Sequence, residues 1–238
     1  HKTLRIFMKI KSLLIENFRG IKKVQLNDLK DTVIIAGQNG SGKSCIFDAI
    51  RLLKSIYGGY QQNELQLWMG EFQINAQNAE HGFIKILNDK SKTMIISCVL
   101  TLSEPEKEYI KHNSKRFLKN MLWKQKRPEA HHWDDTQIDM LGAQNQAVDA
   151  EIDVAVEEQM LIVEQELSCD FIEASCALES SGNFSYKTSP SLQIIFSIYN
   201  PSKLGVIEYH GAQRYFNRAN WHKRLCLCRR AYIFTWRI

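Results

Sequence analysis

The sequence predicts an α/β fold with a helical insertion, and three stretches carry that prediction. Residues 31–37 read Asp-Thr-Val-Ile-Ile-Ala-Gly, a short β-branched run ending in glycine, as a buried strand feeding a loop does. Beyond a glycine-rich loop, residues 44–56 place Ile46, Phe47, Ile50, Leu53 and Ile56 at helical spacing. Within residues 104–175 two further long helical patterns mark the insertion.

The remaining elements follow in chain order. Residues 1–7 precede Met8 and read as an upstream extension. Residues 9–16 alternate basic and apolar side chains at period two, which predicts a half-buried strand, and residues 21–26 do the same. Phe18-Arg19-Gly20 makes a turn between them. The helix over 44–56 stops at Gly58-Gly59. After a Gln- and Asn-rich stretch (61–80), residues 93–102 predict a buried strand. Ser103 caps the next helix, with Glu106 three residues on as in a capping box and Pro105 in the first turn. That helix runs into the low 120s. Residues 144–167 form another, with Val148, Ile152, Val156, Met160, Val163 and Leu167 three or four apart. Residues 183–186 and 192–199 read as a strand pair, and 204–209 as one more strand. The N-terminal lobe spans 8–219. Residues 220–238 contain no acid and two of the five tryptophans; they fit either a basic tail with a strand or a chain cut or shifted in frame near Ala219.

At 238 residues, 44% hydrophobic and 24% charged, the chain has the composition of a folded domain and not of a disordered one. Its apolar runs are far shorter than the roughly 20 residues a membrane helix needs, so no membrane is expected. The N-terminus lacks the apolar core of a secretory signal. Six cysteines without a CxxC pair fit a reducing, cytoplasmic compartment. The net charge of +5 is segregated: residues 105–127 hold 8 Lys or Arg against 2 acids, whereas residues 128–175 hold 13 acids and no Lys or Arg. Such blocks are either solvated faces or a basic surface for nucleic acid with an acidic element set apart. Lys115, Arg116, Lys119, Lys124, Lys126 and Arg127 would form the DNA-facing patch, or would pair with the acidic helix in the same molecule.

Residues 37–44, Gly-Gln-Asn-Gly-Ser-Gly-Lys-Ser, fill every fixed position of the phosphate-binding pattern GxxxxGK[ST]. Gly37, Gly40 and Gly42 let the backbone wrap an anion with no Cβ in the way, and the N–H groups around Asn39 and Ser41 can point inward. The following helix adds its positive end. Lys43 should reach the β- and γ-phosphates of ATP, and Ser44 should place its hydroxyl on Mg²⁺.

The loop spelling GQNGSGKS resembles the ATP-binding-cassette form. Upstream, Ile15-Glu16-Asn17-Phe18-Arg19-Gly20-Ile21 resembles the ENF(R/K) opening of the SMC, RecF and OLD ATPase heads, at a similar distance from the loop, and Phe47-Asp48-Ala49-Ile50 resembles their first helix. The close resemblance covers residues 8–57. A weaker one returns at 207–216, where Gln213 matches the glutamine that such heads place near Mg²⁺. The resemblance implies a P-loop NTPase lobe of ABC-ATPase type in which Arg19 lies near the nucleotide phosphates or on the hairpin surface. It also implies ATP-driven dimerisation of two heads, and a role in DNA repair or phage defence. The signature loop, a strand ending in Asp-Glu, the switch histidine and a Toprim pattern do not follow, so the chain corresponds to the N-terminal lobe of such a head without its C-terminal half. Leu178-Glu179-Ser180-Ser181-Gly182 is a turn and not a signature loop; Glu164 and Glu208 each end an apolar run singly. Two alternatives stay open: a nucleotide-binding subunit of an ABC transporter, and an ATP-dependent interaction module that does not hydrolyse. His131, His132, Asp134 and Asp135 fit a solvated loop better than a metal site, and His222, Cys226 and Cys228 lack a fourth ligand.

Overall fold

A computed structural model describes residues 7–38, 40–60, 63–75 and 82–207. Period-two alternation builds one five-stranded antiparallel sheet from β1 (Lys9–Phe18), β2 (Ile21–Leu26), β3 (Met94–Thr101), β4 (Ile172–Leu178) and β5 (Phe184–Tyr186), in the order β2-β1-β3-β4-β5. Ile15 pairs with Ile96, and Ile96 with Cys176. All three are buried, so the register puts one apolar row under the helices.

Under that face lies α1 (Lys43–Tyr57), burying Ile46, Phe47, Ala49, Leu52 and Leu53. It ends where expected. A Cβ added to Gly58 would stand 2.3 Å from Ser197 Oγ, so only glycine lets the chain leave α1 so close to its neighbour. Tyr57, at the end of α1, donates to Lys187 O at 2.5 Å and accepts from Ser175 N at 3.0 Å, tying the helix to the far edge of the sheet. Burial pushes its phenol up to about 12.

The segment expected as an insertion connects β3 to β4 through α3 (Glu104–Lys126), α4 (Asp135–Gln144) and α5 (Gln146–Ser168), and both long helices stand close to their expected bounds. The capping box of α3 is formed, Glu106 accepting from Ser103 N at 2.9 Å. The other oxygen of Glu106 accepts from Gly205 N at 2.6 Å, which fixes the returning chain beside the start of α3. Ile110, Leu118 and Trp123 of α3 are buried in one core with Ile152, Val156 and Val163 of α5. Outside that core, α3 and α5 pair by charge. Lys115 meets Glu157 at 2.5 Å, Lys119 meets Asp149 and Asp153 at 2.9 and 2.8 Å, and Lys126 meets Glu151 at 2.5 Å. Arg116 meets Asp135 at 2.8 Å and Arg127 meets Glu129 at 3.6 Å.

Three expectations are corrected. Residues 31–37 form no strand, and Val33 and Ile34 are 41% and 82% exposed. A β-branched run favours extension, but only a neighbouring strand buries it. Residues 192–199 are not a strand: α6 (Pro190–Ser197) occupies them. Ser189 Oγ accepts from Leu192 N at 3.3 Å, and Pro190 takes the first turn, so an Ser-Pro helix start outweighed the isoleucines. Residues 204–207 are buried but belong to no strand, and the rest of the run expected at 204–209 lies outside the described residues. Two helices went unread. One is α4, whose Asp134–Gln137 capping box was legible; the other is α2 (Glu64–Glu71), inside the polar stretch.

Candidate functional site

The glycine-rich loop runs directly into α1. Gly40 and Gly42 hold φ of 82° and 85°, left-handed values that side chains resist. Gly42 is the N-cap of α1 and brings no side chain to the first-turn N–H groups. Those donors and the helix's positive end therefore face the loop. A Cβ on Gly37 would stand 2.9 Å from Ser41 Oγ, so glycine is what lets the loop fold back on itself there. Lys43 bends over the loop, its ammonium donating to Gly37 O at 2.7 Å and to Gln38 O. Ser44 sits half-buried in the first turn of α1. Converging N–H donors, one ammonium and one hydroxyl match a polyphosphate with a hard cation, which keeps several waters and needs few protein oxygens. Asn39, Gln213 and Glu208 lie outside the described residues.

Arg19 stands in the turn between β1 and β2, and that turn rests on the loop. A Cβ on Gly42 would lie 3.6 Å from Ile21 Cγ1 and 3.9 Å from Gly20 O. The guanidinium of Arg19 is bonded to the Asp48 carboxylate on α1 and lies 4.5 Å from the Phe72 ring centroid. The structure thus places Arg19 beside the loop with its charge already engaged.

Asp48 is the residue that sequence reading missed. Its side chain is only 8% exposed, and Arg51 approaches its other oxygen at 3.8 Å. Arg51 in turn grips Glu71 with two bonds of 2.8 and 2.6 Å. Burial raises the Asp48 carboxyl above its ordinary range, against the pull of both arginines. Glu71 is held below its range, chiefly by its bonds to Arg51. The signal was present: an acid amid Ile46, Phe47, Ala49 and Ile50 on the apolar face of a helix needs a cation. Asn17 was likewise quoted only as part of a motif. It is 6% exposed, and its amide donates to Asp89 O and Lys92 O at 2.9 and 2.7 Å.

Of the weaker candidates, His222, Cys226 and Cys228 and the side chains of His131 and His132 lie outside the described residues. Among the described residues no group of three or more His, Cys, Asp or Glu is placed to hold a metal. Glu164 lies within α5 and does not end a strand. Residues 179–182 turn between β4 and β5, with Glu179 N donating to Asn183 O at 2.9 Å, as expected. Cys98 and Cys176 are buried free thiols, pushed up to about 12 by burial. No described helix is long and apolar enough to cross a membrane.

A glycine-rich phosphate loop closing onto a helix N-terminus, on a mixed α/β lobe, defines a P-loop NTPase. The chain belongs to the AAA ATPase domain family, which it matches over residues 8–217. The family's description as an ATPase domain implies nucleotide binding and ATP use. The chain is also similar to an uncharacterized protein of Methanocaldococcus jannaschii, at 38% identity over 66 residues. The match covers 26% of this chain and 30% of that protein's length. No solved structure matches it.

Proposed function

We propose that the chain is the ATP-binding part of a RecF/OLD/SMC-like head, its lobe spanning residues 8–219 with the insertion at 104–175. The observation that carries the reading is the loop: left-handed Gly40 and Gly42, an N-terminus of α1 with no side-chain cap, and Lys43 poised over the turn. Gly37, Asn39, Gly40, Ser41, Gly42 and Lys43 would hold the phosphates, and Ser44 the Mg²⁺, with Gln213 as its second ligand. Mg²⁺ would supply charge neutralisation on the γ-phosphate during attack by water. Lys43 contributes a fixed positive charge, and the first-turn N–H groups contribute hydrogen bonds that no side chain competes for. Head dimerisation, a DNA partner and a cytoplasmic role in repair or phage defence extend the reading from the resemblance.

A second reading, an ATP-gated protein-interaction module, is favoured by α5. Its outer side exposes Val154, Leu161 and Ile162 at 63%, 68% and 42%, beside acids. Calorimetric titration with Mg·ATP tests the shared core of both readings. The parent chain binds, and Lys43→Ala reduces affinity by about a hundredfold or more, since a charge-assisted phosphate contact is lost. Equal binding by the two proteins defeats the assignment.

A further inference from the structure

We infer that Asp48 is a positioning residue for the phosphate loop, holding it in register with the β1–β2 turn through Arg19 and Arg51. The inference rests on the ATP-binding reading above and deepens it.

Three observations converge on this carboxylate. The first is its setting. Asp48 lies on α1 five residues beyond Lys43, nearly sealed from water, with Arg19 on one oxygen and Arg51 near the other. Its own backbone carbonyl accepts from the Trp68 indole at 3.1 Å, and Trp68 packs on Phe72 at 4.5 Å between ring centroids. The ring of Phe72 in turn carries the guanidinium of Arg19. One turn of α1 is thus tied to the hairpin, to the helix at Glu64–Glu71 and to the residue following that helix.

The second observation is strain. Asn17 and Arg19 both hold left-handed φ, 54° and 49°, on either side of fully buried Phe18. Asparagine tolerates that region and arginine does not, so something must hold Arg19 there. Its backbone N–H donates to Ile86 O at 2.7 Å, and its carbonyl accepts from Asn88 Nδ2 at 2.6 Å. Among the described residues, its side chain is held by Asp48 on α1 and by the ring of Phe72, just past the helix at Glu64–Glu71.

The third is what the turn touches. Gly20 and Ile21, the next two residues, abut Gly42 at the N-cap of α1, and Gly20 also faces Cys45 Sγ. A shift of Arg19 therefore moves the backbone against which the loop and the first N–H donors of α1 are set. Burying an acid between two arginines is a poor way to gain stability, because desolvation offsets the attraction. It is a way to fix geometry, because a buried carboxylate bonded to the Arg19 guanidinium on one oxygen, with Arg51 3.8 Å from the other, has few other arrangements.

The experiment is a double-mutant cycle on Mg·ATP affinity in the full chain, read by calorimetry, with thermal unfolding of each protein alongside. Asp48→Asn keeps the shape and removes the charge, Arg19→Gln does the same from the other end, and Lys43→Ala serves as the reference. Each single variant should lose about tenfold in affinity, and the double variant no more than either, since coupled residues act as one unit. Asp48→Glu should recover most of the loss. Parent-like affinity in Asp48→Asn, or losses that multiply in the double variant, overturns the inference while Lys43 dependence leaves the ATP reading standing. Binding that ignores Lys43 as well overturns both. A variant that unfolds is replaced by Arg51→Gln, which loosens the same carboxylate at its other oxygen and should lose affinity in the same sense; parent-like affinity there counts against the inference.

Discussion

The ion pairs around Asp48 and those between α3 and α5 use the same chemistry in opposite surroundings. Asp48 is 8% exposed and raised by burial, whereas Lys115 and Glu157 are 64% and 63% exposed and Lys126 and Glu151 are 45% and 68% exposed. Solvent screens the second group, so each pair there contributes little, and α3 and α5 are held by the apolar seam beneath them. Around Asp48 there is little water to replace a lost partner, and the geometry is correspondingly fixed. The difference teaches where charge is structural ornament on a packed helix pair and where it sets the position of backbone. It also bears on nucleic acid. Lys115, Arg116, Lys119, Lys126 and Arg127 already have acidic partners within the insertion, which supports the internal account of that basic block over a free DNA-facing patch.

The comparison breaks first at the seam of the insertion. Trp123 is fully buried, and its indole donates to Asp149 Oδ1 at 3.0 Å. Trp123→Ala should cost about 4 kcal/mol in chemical denaturation, the usual scale for deleting a buried indole. Mg·ATP affinity of the folded protein should stay at the parent value, because the seam shares no residue with the loop. A parallel loss of affinity would show that insertion and loop move together.

A smaller effect separates the two groups by pH. The folded-state carboxyl of Asp48 is raised, so its ionised form is disfavoured by folding. Below its ordinary 3.8 it is protonated in both states and contributes nothing; above the raised value the full cost is present. Relative to Asp48→Asn, the parent should therefore lose stability as pH rises through that window. Glu71, shifted the other way, is common to both proteins and cancels in the difference. Melting temperatures measured from pH 3 to 7 for both proteins check the sign, and a flat difference curve rejects it.

The smallest effect belongs to the exposed pairs. Lys115→Ala and Lys126→Ala should each shift the melting temperature by less than about 2 °C. On the internal account they leave duplex DNA binding unchanged in filter titrations at low salt. If these side chains do meet phosphates, each replacement flattens the slope of log affinity against log salt by about 0.9.

Much of the fold was legible because its signals are local. Alternation announced β1 and β2, an apolar run announced β3, and Ser103 with Glu106 announced α3. Gly58 marked the end of α1. The strand expected at 192–199 failed because isoleucine runs suit a buried helix as well as a strand, and the Ser189-Pro190 start was the deciding local cue. The loop was the most legible part of the site, since GxxxxGK[ST] encodes its own backbone conformation through Gly40 and Gly42. Asp48 was not legible as a site residue, because its partners come from positions 19 and 51 on different elements.

By itself the sequence determined the glycine-rich loop, the helix that follows it and the alternation along β1 and β2, all of which depend on residues a few positions apart. Tertiary structure alone decided which charges pair. It gave the basic face of α3 to the acids of α4 and α5, and it turned Arg19 onto Asp48. It also left residues 31–37 out of the described sheet. Those outcomes depend on distance in space and on access to water, and neither is a property of the order of residues along the chain.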